Sequence, residues 1–281
     1  LFRSLFAVKV GGIIINNTDN ILVSAIDTLT VGYMANYSTV TVRLQELLTI
    51  FHNSILYSLG IASVEKGAEE KYQLFRKVVL IDQYVVGVIC VCTGVLWHDF
   101  ISVWLGKEYV ISDALMYSVL LNFMWRVQVT PLAMFRDTNG LFVYVRRMVL
   151  INAGLNIVLS LAFGRVIGVP GVYIATVIAD ILTDFWFDAR LLYEKLFRRK
   201  GFWKYDLVAF GTCCANLVVV YLLRRALDGL GASLPMWVVK GTVAALAYTL
   251  VYLLVCGRTQ VFRDVLNQIV LPRLRRKKAA Q

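Results

Sequence analysis

The chain of 281 residues is 59% hydrophobic and only 17% charged, with a mean hydropathy of +0.68. A soluble globular domain is about half apolar and about a quarter charged, so this composition excludes intrinsic disorder and fibrous repeats and favours an integral membrane protein. The formal net charge of +11 suggests a nucleic-acid partner only if the basic residues share one exposed face.

Eight apolar stretches are each long enough to cross a bilayer, which takes about 20 mostly apolar residues in a helix. Nothing in them alternates over about ten residues, as barrel strands do. The sequence therefore predicts an all-α integral membrane protein with about eight transmembrane helices. In chain order the stretches are residues 5–25, 30–58, 78–97, 111–135, 141–163, 168–192, 205–226 and 234–256.

The segments that separate the eight apolar stretches, here called breaks, are alternately rich and poor in Lys and Arg. If the chain enters from the cytoplasm, the breaks on that side and the two ends carry 21 of the 29 Lys and Arg, and the opposite breaks carry four. This asymmetry is the positive-inside pattern of membrane proteins. It places the basic residues against anionic lipid headgroups rather than nucleic acid, and it predicts a cytoplasmic C-terminus.

Beyond the last stretch, apolar residues recur at helical spacing from Val261 to Val270 and a basic run follows from Arg273 to Lys278. This pattern predicts either a short interfacial helix with a basic cytoplasmic tail, or a solvated tail.

Polar residues inside the stretches are the candidate functional residues, because a charge in hydrocarbon costs about 2.5–3.5 kcal/mol. The first stretch carries Lys9, Asn16, Asp19 and Asn20, and the last three share a helical face. We predict that this face lines a hydrated cavity; the alternative is contact between helices.

Two further stretches carry arginine. Arg43 and Glu46 are three residues apart, so they form either a structural ion pair or a cation for an anionic substrate that Glu46 tunes. Arg126 lies near the middle of its stretch, where we predict a role in the cavity, because arginine binds phosphate through two parallel hydrogen bonds.

The remaining candidates lie on two later stretches. Asn152 and Asn156 share one face, and three aspartates spaced four residues apart form one stripe. Asp180 and Asp184 are candidates for binding a coupling ion or proton, or for hydrogen bonds across helices. In the second of these alternatives, Asp188 lies at the interface near Arg190. Two isolated charges complete the set: we expect Asp82 at headgroup level and Lys240 to reach the interface.

Catalytic signatures are weak. The two histidines are far apart, and no HExxH, GxSxG or P-loop motif occurs. The five cysteines lie in apolar runs without CxxC spacing, as buried small side chains do. We therefore expect no enzymatic activity, no catalytic residues, no cofactor and no metal.

Several local sequences resemble one family in their order and spacing. They are TDNILVS at 18–24, VGYMANYS at 31–38, FISVWLGKEY at 100–109, FRDTNGLF at 135–142, residues 152–160, IGVPGVYIAT at 167–176 and LLYEKLF at 191–197. Together they resemble the C-terminal half of polysaccharide (O-antigen type) flippases, within the multidrug/oligosaccharidyl-lipid/polysaccharide exporter superfamily. Arg43 and Glu46 depart from the family, which is mostly apolar at these positions.

The resemblance implies a transporter with two lobes that opens its central cavity alternately to either side. Residues 1–200 would be the six-helix C-terminal lobe, 201–260 an additional helix pair and 261–281 the interfacial helix and tail, with the N-terminal lobe outside this chain. Such proteins move undecaprenyl-diphosphate-linked oligosaccharide from the cytoplasmic to the outer leaflet of the cell membrane. Polysaccharide polymerase and assembly proteins would be its protein partners.

Three alternatives remain at the level of sequence. A drug or small-cation exporter of the same superfamily would have a cavity dominated by acidic and aromatic residues. A membrane-embedded polysaccharide polymerase or glycosyltransferase would need an external loop that carries acids. A membrane scaffold for envelope assembly would tolerate substitution of Arg126 and Lys9.

Overall fold

The computed structural model describes residues 19, 21–63 and 67–267, with the side chains of 56–63 excepted. This part of the chain consists of helices joined by short connections and contains no strand. In chain order its helices are α1 (Thr28–Ser63), α2 (Ala68–Trp104), α3 (Asp113–Gln128), α4 (Thr130–Thr138), α5 (Phe142–Ile167), α6 (Val169–Leu196), α7 (Trp203–Leu227), α8 (Leu234–Cys256) and α9 (Gln260–Val265).

Five helices of the described part are long and apolar enough to cross a membrane: α2, α5, α6, α7 and α8. Residues 19, 21–63 and 67–267 therefore form an all-helical unit suited to several membrane passes. The predicted stretches 78–97, 141–163, 168–192, 205–226 and 234–256 are confirmed as these helices. The stretch 5–25 lies almost wholly outside the described residues. The stretch 30–58 lies within α1, which is long enough but too polar to qualify.

The predicted stretch 111–135 is wrong as one continuous span. It is divided at Val129, whose φ and ψ of −86° and −5° end α3, and α4 begins with Pro131 in its first turn. Proline lacks the amide hydrogen and clashes with the carbonyl four residues earlier, so a straight helix cannot continue through it. Neither α3 nor α4 alone is long enough to span hydrocarbon.

Two helices organise the packing. α2 contacts α1, α3, α4, α7, α8 and α9, while α6 contacts α3, α4, α5 and α7. One end of the bundle is closed by the buried rings of Phe75, Phe135 and Phe197, whose centroids lie 5.0–6.3 Å apart. These rings hold α2 and α4 against the last turn of α6.

α6 departs from regular α-helical geometry at two places. π-helical turns cover Ile181–Phe185 and Leu192–Leu196. Such turns are rare in helices and frequently occur at functional sites. The first of them contains Asp184, one of the predicted site residues.

The short helix predicted after the last stretch is present as α9. Val261 and Val265 are both buried, and the helix contacts α2. Its threonine cap is regular, because the Thr259 side chain accepts a hydrogen bond from the amide of Phe262. The predicted basic tail from 273 to 278 lies outside the described residues.

The antiparallel pair α5 and α6 meets at a glycine. A Cβ atom added at Gly171 would lie 2.3 Å from the backbone oxygen of Phe163, whereas one added at Gly154 meets nothing within 4 Å. We expect Gly171→Ala to destabilise the protein by about 1–3 kcal/mol, as overpacking does. Gly154→Ala should stabilise it by about 0.5–1 kcal/mol, because alanine favours a helix interior.

Thermal unfolding of the two variants in detergent measures this difference. Midpoints that shift in the same direction would contradict the close approach of α5 and α6 at Gly171.

Candidate functional site

Polar side chains from five segments meet between α5 and α6. We name this cluster the polar seam. On α6, positions four residues apart carry polar groups, and a stripe on α5 faces them. The members of the seam are Asp19, Arg126, Arg136, Asn152, Asn156, Ser160, Thr176, Asp180, Asp184 and Asp188.

Asp19 lies at one end of the seam. Its two carboxylate oxygens are 3.0 and 3.1 Å from Oγ1 of Thr176, and Nδ2 of Asn156 donates to the same hydroxyl at 2.8 Å. All three side chains are buried. Nη2 of Arg126 lies 3.9 Å from Oδ2 of Asp19 and supplies the nearby positive charge.

The middle of the seam is a pair of carboxylates joined by one amide. Nδ2 of Asn152 donates to Oδ1 of Asp180 and to Oδ2 of Asp184, each at 2.8 Å. Asn152 is 1% exposed. Because the two acids are four residues apart on α6, one amide on the facing helix reaches both.

Asp188 and Arg136 form the other end. Nη1 of Arg136 donates to Oδ2 of Asp188 at 2.6 Å, and its Nε donates to Asp137 at 2.7 Å. The alternative that set Asp188 beside Arg190 at the interface named the wrong neighbour: Asp188 is buried and pairs with Arg136 of α4. Arg190 instead pairs with Glu194 on the exposed side of α6.

The structure thus brings together six of the predicted site residues, namely Asp19, Arg126, Asn152, Asn156, Asp180 and Asp184. Their sequence separations reach 165 positions, so the clustering is a tertiary result. Three more predicted residues, Lys9, Asn16 and Asn20, lie outside the described residues.

Arg43 and Glu46 form the predicted ion pair, with 2.9 Å between Nη1 and Oε2, but they lie away from the seam. Both side chains are exposed in a cleft of about 550 Å³ beside α1. The wall of this cleft includes Val23, Met34 and Tyr173. Asp19, which we predicted to line a hydrated cavity, is not part of the wall of this cleft.

A second depression, the apolar groove, shares Arg43 with the cleft. It has a volume of about 470 Å³ and lies between α1, α2 and α8. Apart from Arg43 and two threonines, its lining is apolar, with Leu44, Val88 and Trp237 among its residues. Arg43 therefore places a cation between a partly polar cleft and an apolar groove.

Sequence reasoning missed three members of the seam. Thr176 falls four residues before Asp180, so the spacing of the aspartate stripe already pointed to it. Ser160 extends the Asn152 and Asn156 stripe by one turn in the same way. Arg136 was not a candidate, and no local pattern marks it, because its partner Asp188 is 52 positions away.

Two isolated charges have partners that the sequence did not indicate. Asp82, predicted at headgroup level, is fully buried in the protein, and its Oδ1 lies 2.6 Å from Nε2 of His52 on α1. Lys240, predicted to reach the interface, is buried and donates to Asp99 at 2.6 Å. In both cases a partner on another helix makes burial of the charge tolerable.

Within residues 19, 21–63 and 67–267, no group of three or more His, Cys, Asp or Glu side chains is arranged to hold a metal ion. The five cysteines are free thiols; Cys90 and Cys213 are buried as predicted, while Cys214 is exposed.

No family model, curated protein or solved structure matches the chain.

Proposed function

We propose that the chain is the C-terminal part of a transporter that moves undecaprenyl-diphosphate-linked oligosaccharide from the cytoplasmic to the outer leaflet of the cell membrane. The observation that carries the proposal is the position of Arg43, which lines both the cleft and the apolar groove. A lipid-linked saccharide has the matching three parts: a polar sugar, an anionic diphosphate and a long hydrocarbon chain.

The chemistry of each part favours this assignment. The diphosphate cannot cross hydrocarbon without a cation, and an arginine binds phosphate oxygens with paired donors. The sugar fits a cleft that contains Ser38, Thr39 and Glu46. The polyprenyl chain stays in the bilayer along the groove, where burial of each CH₂ contributes about 0.8 kcal/mol.

The seam supplies the element that changes between the two states of alternating access. When a buried acid binds an ion or a proton, it gives up hydrogen bonds from the donors around it. Asp19, Asp180 and Asp184 are therefore the proposed coupling residues. Tyr173 lines the cleft and lies three residues before Thr176 of the seam on the same helix. Its backbone oxygen accepts a hydrogen bond from Asn122. We propose that α6 couples binding of an ion or proton at the seam to the shape of the cleft through this residue.

The proposal includes the lobe architecture. Residues 1–200 form the six-helix lobe, which includes the first predicted span at 5–25, residues 201–260 add α7 and α8, and a further lobe completes the cavity. The asymmetry of basic residues supports a cytoplasmic C-terminus. Partner proteins are the polymerase and assembly proteins that receive the flipped substrate.

Depletion of the full-length protein tests the proposed function. We expect complete undecaprenyl-diphosphate-linked units to accumulate in the cytoplasmic leaflet, measured by mass spectrometry after leaflet-selective labelling. Lys9→Ala should reproduce the accumulation. Surface polysaccharide that stays normal, with no accumulation, would contradict the flippase and favour a drug exporter or a scaffold.

A further inference from the structure

We propose that the polar seam is a proton pathway along α6, from Asp19 to Arg136, and that it carries protons rather than metal cations. The inference rests on the proposed function and extends it, because it names the coupling species and adds Asp188 and Arg136 to the residues that handle it.

The dimensions of the seam suit a path through hydrocarbon. Thr176, Asp180, Asp184 and Asp188 rise along α6 by about 18 Å in all, at 1.5 Å per residue. This is more than half of the roughly 30 Å thickness of a bilayer core. Positions four apart on a helix lie about 5–6 Å apart, a separation that one hydrogen-bonded water molecule can span.

Buried acceptor atoms beside the acids point to water or protons in the seam. Among the described residues, Oδ1 of Asn152, Oδ1 of Asn156 and Oγ of Ser160 have no hydrogen-bond partner. The three residues are 0–1% exposed and form one stripe on α5 that faces α6. Because buried polar atoms in proteins nearly always have a partner, this stripe is built for small hydrogen-bonding species.

The two aspartates nearest the Arg136 end show the same feature. Oδ1 of Asp184 and Oδ1 of Asp188 are buried and accept no hydrogen bond from the described part of the chain. A proton on either oxygen turns an acceptor into a donor and satisfies a neighbour. Each carboxylate thus has one oxygen bound to an N–H group and one available for protonation.

The donors within the seam discriminate against metal cations. The amide nitrogen of Asn152 lies between Asp180 and Asp184, where a metal ion would require oxygen ligands. The guanidinium of Arg136 forms an ion pair with Asp188, and the guanidinium of Arg126 lies beside Asp19. Positive and N–H groups at these positions repel a cation but still permit a proton to bind the remaining oxygens.

The charged and titratable groups that face the acids come from four elements. Arg126 of α3 interacts with Asp19 and Asp180, and Arg136 of α4 interacts with Asp184 and Asp188. Asp137 of α4 and Tyr205 of α7 lie near Asp188, and Tyr173 of α6 lies near Asp19. Arg126 and Arg136 close the two ends of the pathway. Each arginine must break its ion pair with the neighbouring aspartate before a proton leaves the seam.

Infrared spectroscopy of the purified protein in liposomes tests whether the seam binds protons. We expect a C=O stretching band of protonated carboxyl groups that titrates with pH and loses intensity in Asp180→Asn and in Asp184→Asn. Glu194→Gln is the matched control, because Glu194 is an exposed acid on the same helix. A band that is missing from the wild type, or that disappears when sodium replaces a large organic cation, would overturn the proposal.

Proton flux distinguishes a pathway from an isolated protonated acid. Full-length protein in vesicles with a trapped pH dye and an imposed potassium potential should take up protons. Asp184→Asn should reduce uptake about a hundredfold, the lower end of what a positioned proton-transfer group contributes. Uptake that is equal in Asp184→Asn and Glu194→Gln, or sodium uptake in place of protons, would overturn it.

Neither readout uses the lipid-linked substrate. A negative result in either experiment therefore contradicts the proton pathway and leaves the flippase proposal unaffected. Depletion without substrate accumulation contradicts the flippase proposal and leaves a measured proton flux unaffected.

Discussion

Arg126→Ala is expected to reduce transport of the lipid-linked saccharide by about 30-fold or more, because truncating one member of a partly buried charge pair costs about 2–5 kcal/mol. The Arg126 side chain is 28% exposed and lies 3.9 Å from Asp19, which is 8% exposed. Its removal takes a cation from the seam and leaves the Asp19 carboxylate with the Thr176 hydroxyl. Accumulation of substrate in the cytoplasmic leaflet measures the loss.

Arg165→Ala is the matched control, since Arg165 is an exposed arginine at the end of α5 and should leave transport unchanged. Arg126→Lys should restore transport only in part, because lysine keeps the charge but not the paired donors. Normal transport by Arg126→Ala at normal protein levels would contradict a role of the seam in transport and favour a membrane scaffold.

The largest effect on stability is expected at Arg136. Its guanidinium is 12% exposed and its partner Asp188 is 9% exposed. Arg136→Ala leaves a buried carboxylate without its counter-charge, which destabilises proteins by about 3–5 kcal/mol. We expect a clearly lower unfolding midpoint in detergent, because α4 is also released from α6.

Arg190→Ala separates burial from charge. Arg190 and Glu194 are each 52% exposed on α6, and such surface pairs contribute about 0–1 kcal/mol. Asp188→Asn in the Arg136→Ala background should recover part of the lost stability, because it removes the uncompensated charge. Equal losses in Arg136→Ala and Arg190→Ala would show that Asp188 reaches water.

Several elements of the fold were predictable because hydrophobicity is a local property. The four stretches from 141–163 to 234–256 became α5 to α8, since each is apolar over a full bilayer thickness. The stripe of Asp180, Asp184 and Asp188 was predictable for a similar reason, because helical periodicity alone places residues four apart on one face.

Other elements depended on one residue or on composition. Pro131 divides the stretch 111–135, although its hydropathy is continuous. The many hydroxyl side chains of α1, together with Arg43 and Glu46, interrupt its apolar residues, so α1 is less apolar than the five candidate membrane helices. A hydropathy profile averages hydrophobicity over a window, so it does not show where a single proline interrupts a helix.

Composition and helical period were enough to predict an all-helical chain, most of its long apolar helices and six polar residues of the seam. They did not predict which charges pair with each other: Asp188 with Arg136, Asp82 with His52 and Lys240 with Asp99. A charge is tolerable in hydrocarbon only beside its counterpart, and these counterparts lie 30 to 141 positions away, so packing alone brings them together.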